Sequence, residues 1–166
     1  NMTSKRRRTT FAVTARASLR ASASPLDKPE RNPLHMEEQL KHYADKLAFE
    51  IDSWDLKVAL ERGEQVTVID ARSVDAYALE HIPGAINIPH RTMNAETTSA
   101  IDRASTVVTY CDGIGCNAST KGAYKMARLG FKVKELIGGL DWWKRDGHPT
   151  EGGAACASTG ASCGCS

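Results

Sequence analysis

The sequence predicts an α/β fold with a central, mostly parallel sheet of about five strands and helices on both faces. Two observations lead to this prediction. Apolar, strand-like runs alternate with amphipathic helical stretches, and the links between them are short. One such run also ends at Cys111, where a glycine-bearing loop begins. Working sites of parallel sheets lie at the carboxyl ends of strands, so Cys111 is the first candidate for chemistry.

Two helices are predicted at the start of the folded region. Apolar residues at helical spacing, from Leu34 to Leu47, predict an amphipathic helix over residues 34–47. Ser53 has the side chain of an N-cap and Gly63 is a typical residue after a helix end, so a second helix is expected over 54–62.

Two strands and a helix are predicted next. Residues 66–69 are apolar and β-branched and predict a buried strand. Ser73 begins a short helix that runs to about Glu80. The pair Pro83-Gly84 then turns the chain into a short strand over 85–88.

The second half of the chain continues the alternation, with breaks at Gly130 and at the pair Gly138-Gly139. We expect Val133, Leu136 and Ile137 to point into the core. The predicted elements are a short helix over 94–102, a strand over 107–110, a helix over 117–129, a strand over 132–137 and one or two helical turns over 140–146.

Composition divides the chain into three parts. Three prolines precede residue 34, so we predict a disordered basic tail and linker over residues 1–33. The folded domain is expected over 34–151. Residues 152–166 are Gly, Ala, Ser, Thr and Cys alone, which cannot bury a core, and predict a flexible, cysteine-containing tail.

Charge and cysteine content bear on location and partners. The net charge is +2, which favours neither a nucleic-acid nor a membrane partner. Five cysteines in 166 residues do not suggest a disulfide framework, so we expect reduced thiols and a cytoplasmic protein. Residues 1–24 contain no acidic residue and six basic ones, which leaves open an organelle transit peptide.

Four segments, in order, resemble the single-domain rhodanese family of sulfurtransferases. The resemblance covers about residues 50–151. Its segments are Val68-Ile69-Asp70-Ala71-Arg72; Tyr77 through Glu80-His81-Ile82-Pro83-Gly84-Ala85-Ile86-Asn87-Ile88; Val107-Val108-Thr109-Tyr110-Cys111 with its loop; and Gly130-Phe131 followed by Gly138-Gly139-Leu140-Asp141-Trp142-Trp143 and Gly147-His148-Pro149.

The resemblance implies roles for several residues. Cys111 matches the cysteine that carries sulfur as a persulfide. Asp70 and Arg72 match a structural pair, and His81 and Gly84 match a turn that leads into a core strand. The pair Gly138-Gly139, with Trp142, matches the wall beside the active loop.

The active loop departs from the family pattern. A typical loop runs Cys-x-x-Gly-x-Arg, whereas the sixth position here is Cys116 and no arginine occurs from 112 to 127. The loop is also about two residues longer than usual. An arginine often holds an anionic donor, so its absence disfavours thiosulfate and disfavours phosphatase or arsenate-reductase chemistry more strongly.

The chemistry expected at the loop requires Cys111 as a thiolate, because the thiolate is the nucleophile. We predict that inward-pointing loop N–H groups stabilise the thiolate, together with the N-terminus of the following helix. Asn117, Ser119 and Thr120 are candidate caps. Asp112 must point outward. The predicted substrate-binding residues are Asp112, Gly113, Ile114, Gly115, Cys116, Asn117 and Ala118.

The other cysteines allow two interpretations each. Cys116 either resolves an oxidised or persulfidated Cys111 into a disulfide, or simply fills the arginine position. Cys156, Cys163 and Cys165 either accept sulfur or bind a soft metal, or are incidental thiols, which we favour.

The remaining polar and aromatic candidates are weaker. His81 is expected to pin a loop. His90 and Arg91 either supply positive charge at the pocket mouth or are simply exposed. Trp142 and Trp143 are expected mainly in the core, with one beside the pocket. No metal or other cofactor is predicted for the domain.

The leading hypothesis is a monomeric sulfurtransferase that takes sulfane sulfur from thiosulfate or, preferably, a persulfide. The acceptor is a thiol or another nucleophile, small or on a protein. The alternatives are a regulatory or non-catalytic binding module, and a redox sensor that uses Cys111 and Cys116.

Overall fold

The computed structural model describes residues 33–153. The elements are α1 Pro33–Phe49, β1 Glu50–Ile51, α2 Ser53–Glu61, β2 Val66–Asp70, α3 Val74–Leu79, β3 Ile86–Asn87, β4 Thr106–Tyr110, α4 Ala118–Arg128, β5 Lys132–Leu136 and α5 Gly139–Arg145. The strands form a five-stranded parallel sheet in the order β1-β5-β4-β2-β3. The α/β class and the parallel sheet are therefore confirmed.

The core lies on both faces of the sheet, because successive strand residues point to opposite sides. Val107 of β4 packs in one cluster with Met126 of α4. Its neighbour Val108 packs in the other cluster with Leu56 of α2 and Trp143 of α5. Helix α4 thus covers one face, and α2 and α5 cover the other.

Helix α1 exists as predicted, but its apolar residues are exposed rather than buried. Leu34 and Leu40 are each 67% exposed and Leu47 is 80% exposed. The helix leads into the edge strand β1 and touches the rest of the fold there and at β5. The helical spacing predicted the helix correctly, while its packing was decided by the position at the sheet edge.

The helix predicted over 94–102 is wrong, since these residues form turns. Thr97 and Thr98 contribute to the difference, because their hydroxyl groups donate to the backbone carbonyls of Thr92 and Asn94 at 3.0 and 2.8 Å. Local bonds of this kind compete with helix formation.

Two details of the predicted boundaries also change. The N-cap of α2 is Asp52, which accepts from the Asp55 N–H, while Ser53 is the first helical residue and its hydroxyl donates to Asp146. Ile137 follows the end of β5 and is half exposed rather than in the core. Strand β1, of two residues, was too short to give a pattern.

The predicted tails lie largely outside the described residues, as do Cys156, Cys163 and Cys165. Within residues 33–153, no helix combines the length and apolar character needed to cross a membrane.

Candidate active site

Cys111 follows β4, the strand in the middle of the sheet, which pairs with both β2 and β5. The start of α5 holds the loop from the other side. The N–H of Leu140 donates to the carbonyl of Cys111 at 2.9 Å, and the N–H of Asp141 donates to that of Asp112 at 2.8 Å. A Cβ on Gly139 would collide with the Cys111 carbonyl, so only glycine allows this approach.

The sulfur of Cys111 faces two loop carbonyls. Its Sγ lies 3.0 Å from the Cys116 carbonyl oxygen and 3.7 Å from that of Gly113, and the thiol donates to both. The sequence predicted a ring of inward N–H groups instead. The tight turn explains the difference, because the N–H of Cys116 is already bonded to the Gly113 carbonyl at 3.0 Å.

The hydrogen-bond donors for a thiolate come from Ser119, one residue beyond the predicted binding span. Burial raises the pKa of the Cys111 thiol, and the hydroxyl and backbone N–H of Ser119 oppose this effect. Cys116 raises the pKa further through its own thiol. Cys111 itself is 2% exposed. Burial and the two carbonyl acceptors both favour the protonated thiol over the thiolate.

Ser119 connects Cys111 to a carboxylate that sequence reasoning missed. The Ser119 Oγ lies 3.2 Å from the Cys111 Sγ and donates to Oε1 of Glu135 at 2.7 Å. Thr120 donates to the same oxygen at 2.8 Å. The sequence held no signal for this contact, since Glu135 lies on β5 and meets Ser119 only because β5 pairs with β4.

A cavity of about 300 Å³ opens beside Cys111. Five predicted binding residues, Gly113, Ile114, Gly115, Cys116 and Asn117, line it. Its other lining residues include Lys46, Glu50, Glu135, Gly138 and Gly139. The glycine pair thus forms part of the expected wall, whereas Trp142 is not among the lining residues.

A second cavity of about 340 Å³ lies on the other side of the loop. Asp112 and Ala118, both predicted to bind substrate, line this cavity and not the first. His90 and Arg91 line it as well, so they are not at the mouth of the Cys111 cavity. Cys116 lines both cavities and forms the wall between them.

Asp112 points outward, as its charge requires. Its side chain is 64% exposed, and Oδ1 accepts from Nη1 of Arg72 at 2.8 Å. Arg72 also bonds Asp70 through Nε and through Nη2, the latter at 2.6 Å. Burial opposes the Arg72 charge, but the bonds to Asp70 and Asp112 outweigh it and raise the pKa of Arg72. The pair is structural, as expected.

The remaining candidates are also structural. His81 stacks on Tyr77 with ring centroids 3.8 Å apart, and its Nδ1 lies 2.8 Å from the Tyr77 carbonyl. Trp143 is buried and donates to the Pro149 carbonyl at 2.7 Å.

The first turn of α4 lacks the cap predicted at Asn117, whose side chain makes no capping bond. In the described part of the chain, no group of three or more His, Cys, Asp or Glu is arranged to hold a metal ion.

A comparison with protein-family models now decides the family. The model described as "Rhodanese-like domain" matches residues 54–146, more than half of the chain. The chain belongs to this family. The resemblance noted from its four segments is thereby confirmed.

A solved structure of similar fold is the BH2092 protein from Bacillus halodurans. It is 42% identical, has a TM-score of 0.69, and the match covers 74% of this chain and 88% of that one. This agreement supports the rhodanese-like fold described above.

Two curated relatives differ in what they are named for. One is the "HTH-type transcriptional regulator Rv0324" of Mycobacterium tuberculosis, 38% identical over 57% of this chain and 41% of the regulator. The other is "Thiosulfate sulfurtransferase 16, chloroplastic" of Arabidopsis thaliana, 29% identical over 50% of this chain and 78% of that protein. This chain therefore spans less than half the length of the regulator.

Proposed function

We propose that this protein is a sulfurtransferase that carries sulfane sulfur as a persulfide on Cys111. The observation that carries the proposal is the position of the Cys111 thiol, which ends the central strand and lines a cavity large enough for a small donor. Membership in the rhodanese-like family and a relative named as a sulfurtransferase support it.

The transfer takes place in two displacements. The Cys111 thiolate attacks the outer sulfur of a donor, a new S–S bond forms, and the donor's own bond to that sulfur breaks, its electron pair leaving with the donor. An acceptor thiolate then attacks the outer sulfur of the persulfide, and Cys111 departs as a thiolate. No oxidant or reductant is consumed, because the sulfur is exchanged at constant oxidation state.

A persulfide fits the site better than thiosulfate does. Thiosulfate carries two negative charges, and the loop holds no arginine to bind them. Lys46 is the cation that lines the cavity, and it is engaged by Glu50 at 2.7 Å. Glu135 adds a carboxylate to the same wall.

Mass spectrometry of the purified full chain tests the proposal. After incubation with a low-molecular-weight persulfide, the Cys111 peptide should gain about 32 Da, one sulfur atom, and should lose it to an added thiol. Cys111→Ser should abolish the gain, and Cys116→Ser should retain it as the matched control. A parent protein that gains no sulfur from either a persulfide or thiosulfate contradicts the proposal and favours a binding module.

A redox-sensing function is the second candidate, and the proximity of Cys116 favours it. The Cys111 Sγ lies 3.0 Å from the backbone carbonyl oxygen of Cys116, and the Cys116 thiol raises the pKa of Cys111. A persulfidated Cys111 attacked by Cys116 would give the Cys111–Cys116 disulfide and release H₂S, which balances without a further oxidant. The relative named as a transcriptional regulator supports a sensing role.

The two functions give different products from the same treatment. The sensor predicts that persulfide treatment ends in a loop peptide about 2 Da lighter than the dithiol, with H₂S released, and that Cys116→Ser stops at the persulfide. The carrier predicts a persulfide that persists until an acceptor is added. A disulfide that never forms in the parent protein would eliminate the sensor.

A further inference from the structure

Cys111, Ser119 and Glu135 form a continuous hydrogen-bond chain from the core to the wall of the cavity. Its two links measure 3.2 Å from sulfur to hydroxyl and 2.7 Å from hydroxyl to carboxylate. Ser119 is buried, so its hydroxyl is shielded from bulk solvent. The chain crosses from α4 to β5, and its geometry is supported by Thr120, which donates to the same carboxylate oxygen.

The hydroxyl of Ser119 has a single proton, and this proton decides the state of Cys111. A carboxylate can only accept hydrogen bonds, so the Ser119 proton must point to Glu135. At rest the Ser119 hydroxyl therefore presents lone pairs to Cys111, and only the Ser119 backbone N–H remains as a donor toward the sulfur. With the carbonyls of Cys116 and Gly113, three acceptors face the one thiol proton.

The charged groups around Cys111 also favour its protonated form. Glu135 comes from β5, Glu50 from β1 and Lys46 from α1, and the last two bond each other. On the loop, Cys116 raises the pKa of Cys111, while Asp112 is turned to Arg72. From α5, Asp141 lies beside Gly113. Of these carboxylates, Glu135 is the one linked to Cys111, through the hydroxyl of Ser119.

We propose that Glu135, acting through Ser119, is the positioning residue that keeps Cys111 as a thiol at rest and makes the site select uncharged or cationic sulfur donors over anionic ones. Removing the carboxylate charge frees the Ser119 proton to turn toward sulfur and stabilise the thiolate. It also lowers the repulsion met by an anionic reagent in the cavity.

The part of the inference that concerns sulfur donors rests on the proposed function. The experiment that tests it uses alkylation of Cys111 and does not depend on sulfur transfer. Iodoacetamide and iodoacetate alkylate thiols by the same reaction and differ by one negative charge. Their rates at Cys111, followed on its peptide by mass spectrometry of the full chain across about pH 6–10, report thiolate formation and charge selection separately. The result stands whether or not Cys111 ever carries sulfur.

Glu135→Gln should raise the iodoacetamide rate at neutral pH by about threefold to tenfold and move the rate profile to lower pH. The iodoacetate rate should rise more, so the ratio of the two rates falls. In the background of Ser119→Ala, the same Glu135→Gln change should move the profile less, because the relaying hydroxyl is gone.

Glu50→Gln is the matched control, since it removes a carboxylate from the same cavity that is bonded to Lys46 and has no hydrogen bond to Ser119. It frees Lys46 and so favours iodoacetate as well, but its effect on the iodoacetamide rate and its pH profile should be less than about twofold, because Glu50 is not linked to Ser119. The circular dichroism spectrum of each variant verifies folding. If Glu135→Gln leaves both the profile and the ratio unchanged, or shifts the profile equally with and without Ser119, the inference is overturned.

Discussion

The carboxyl ends of β2 and β4 are neighbours in the sheet, and they differ in how their polar groups are satisfied. At the end of β2, Asp70 is completely buried and accepts from the backbone and guanidinium of Arg72. At the end of β4, the buried thiol of Cys111 offers one proton to several acceptors. The first end is saturated with charge-assisted bonds, whereas at the second end three acceptor oxygens surround a thiol that has one proton.

This difference separates a structural end from the end where we propose that the reaction takes place. A buried ion pair with all its bonds made holds a loop in place, because breaking it leaves an uncompensated charge. A thiol with excess acceptors is held neutral, and its reactivity can be altered by moving a single proton. The two ends are joined through Arg72, which also holds Asp112 away from the sulfur.

The largest effect is expected from breaking the buried ion pair between Asp70 and Arg72. Arg72→Met removes the cation that compensates the buried Asp70 and should lower the free energy of unfolding by about 3–5 kcal/mol. Urea denaturation measures the change. The double variant Asp70→Val with Arg72→Met removes both charges and should lose less. Equal losses in the single and double variants would show that the pair is not a compensated ion pair.

The next effect concerns the glycine that lets α5 approach Cys111. Gly139→Ala introduces a Cβ into the Cys111 carbonyl at a φ of +56°. The strain should lower the free energy of unfolding by about 1–3 kcal/mol and change the alkylation rate of Cys111. Gly147→Ala is the control, because its φ is +79° with open space around it. It should cost less stability and leave that rate unaltered; the reverse order would refute the close approach.

The pH dependence of the Cys111 alkylation rate tests whether the thiol is held protonated. Burial raises the pKa of Cys111, so its alkylation rate should rise through a midpoint above the ordinary thiol value of about 8.5. The unfolded chain releases this proton first, so the thiol's stabilising contribution is present below that value and lost as pH rises through the folded pKa. Because Cys116 also raises the pKa, Cys116→Ser should lower the midpoint. A parent midpoint below the ordinary value would contradict the neutral resting thiol.

The smallest effect is expected from changing Asp112, which links the β4 end to Arg72. Asp112 is exposed, so Asp112→Asn should change the free energy of unfolding by less than about 1 kcal/mol and the Cys111 alkylation rate by about twofold or less. Added salt should reduce both differences. A loss comparable to that of Arg72→Met would mean that Asp112, rather than Asp70, stabilises the arginine.

Local patterns were sufficient for much of the fold. Strand β4, helix α4 and the break at Gly130 all follow from residue types next to one another along the chain. Cys111 could be singled out because a cysteine after a buried strand and before a glycine-bearing loop is a local feature. The failure at 94–102 was also local in origin, since the hydroxyl groups of Thr97 and Thr98 bond to nearby backbone carbonyls.

What the sequence determined by itself was therefore most of the succession of elements, the cysteine proposed to react and the glycines beside it. Tertiary structure decided that the loop turns carbonyls toward sulfur, that the residues of α1 stay exposed, and that Glu135 of β5 reaches Ser119. The physical reason is that periodicity and turn preference act between neighbours along the chain. The hydrogen bonds that set the protonation of a buried thiol act between segments brought together only by strand pairing.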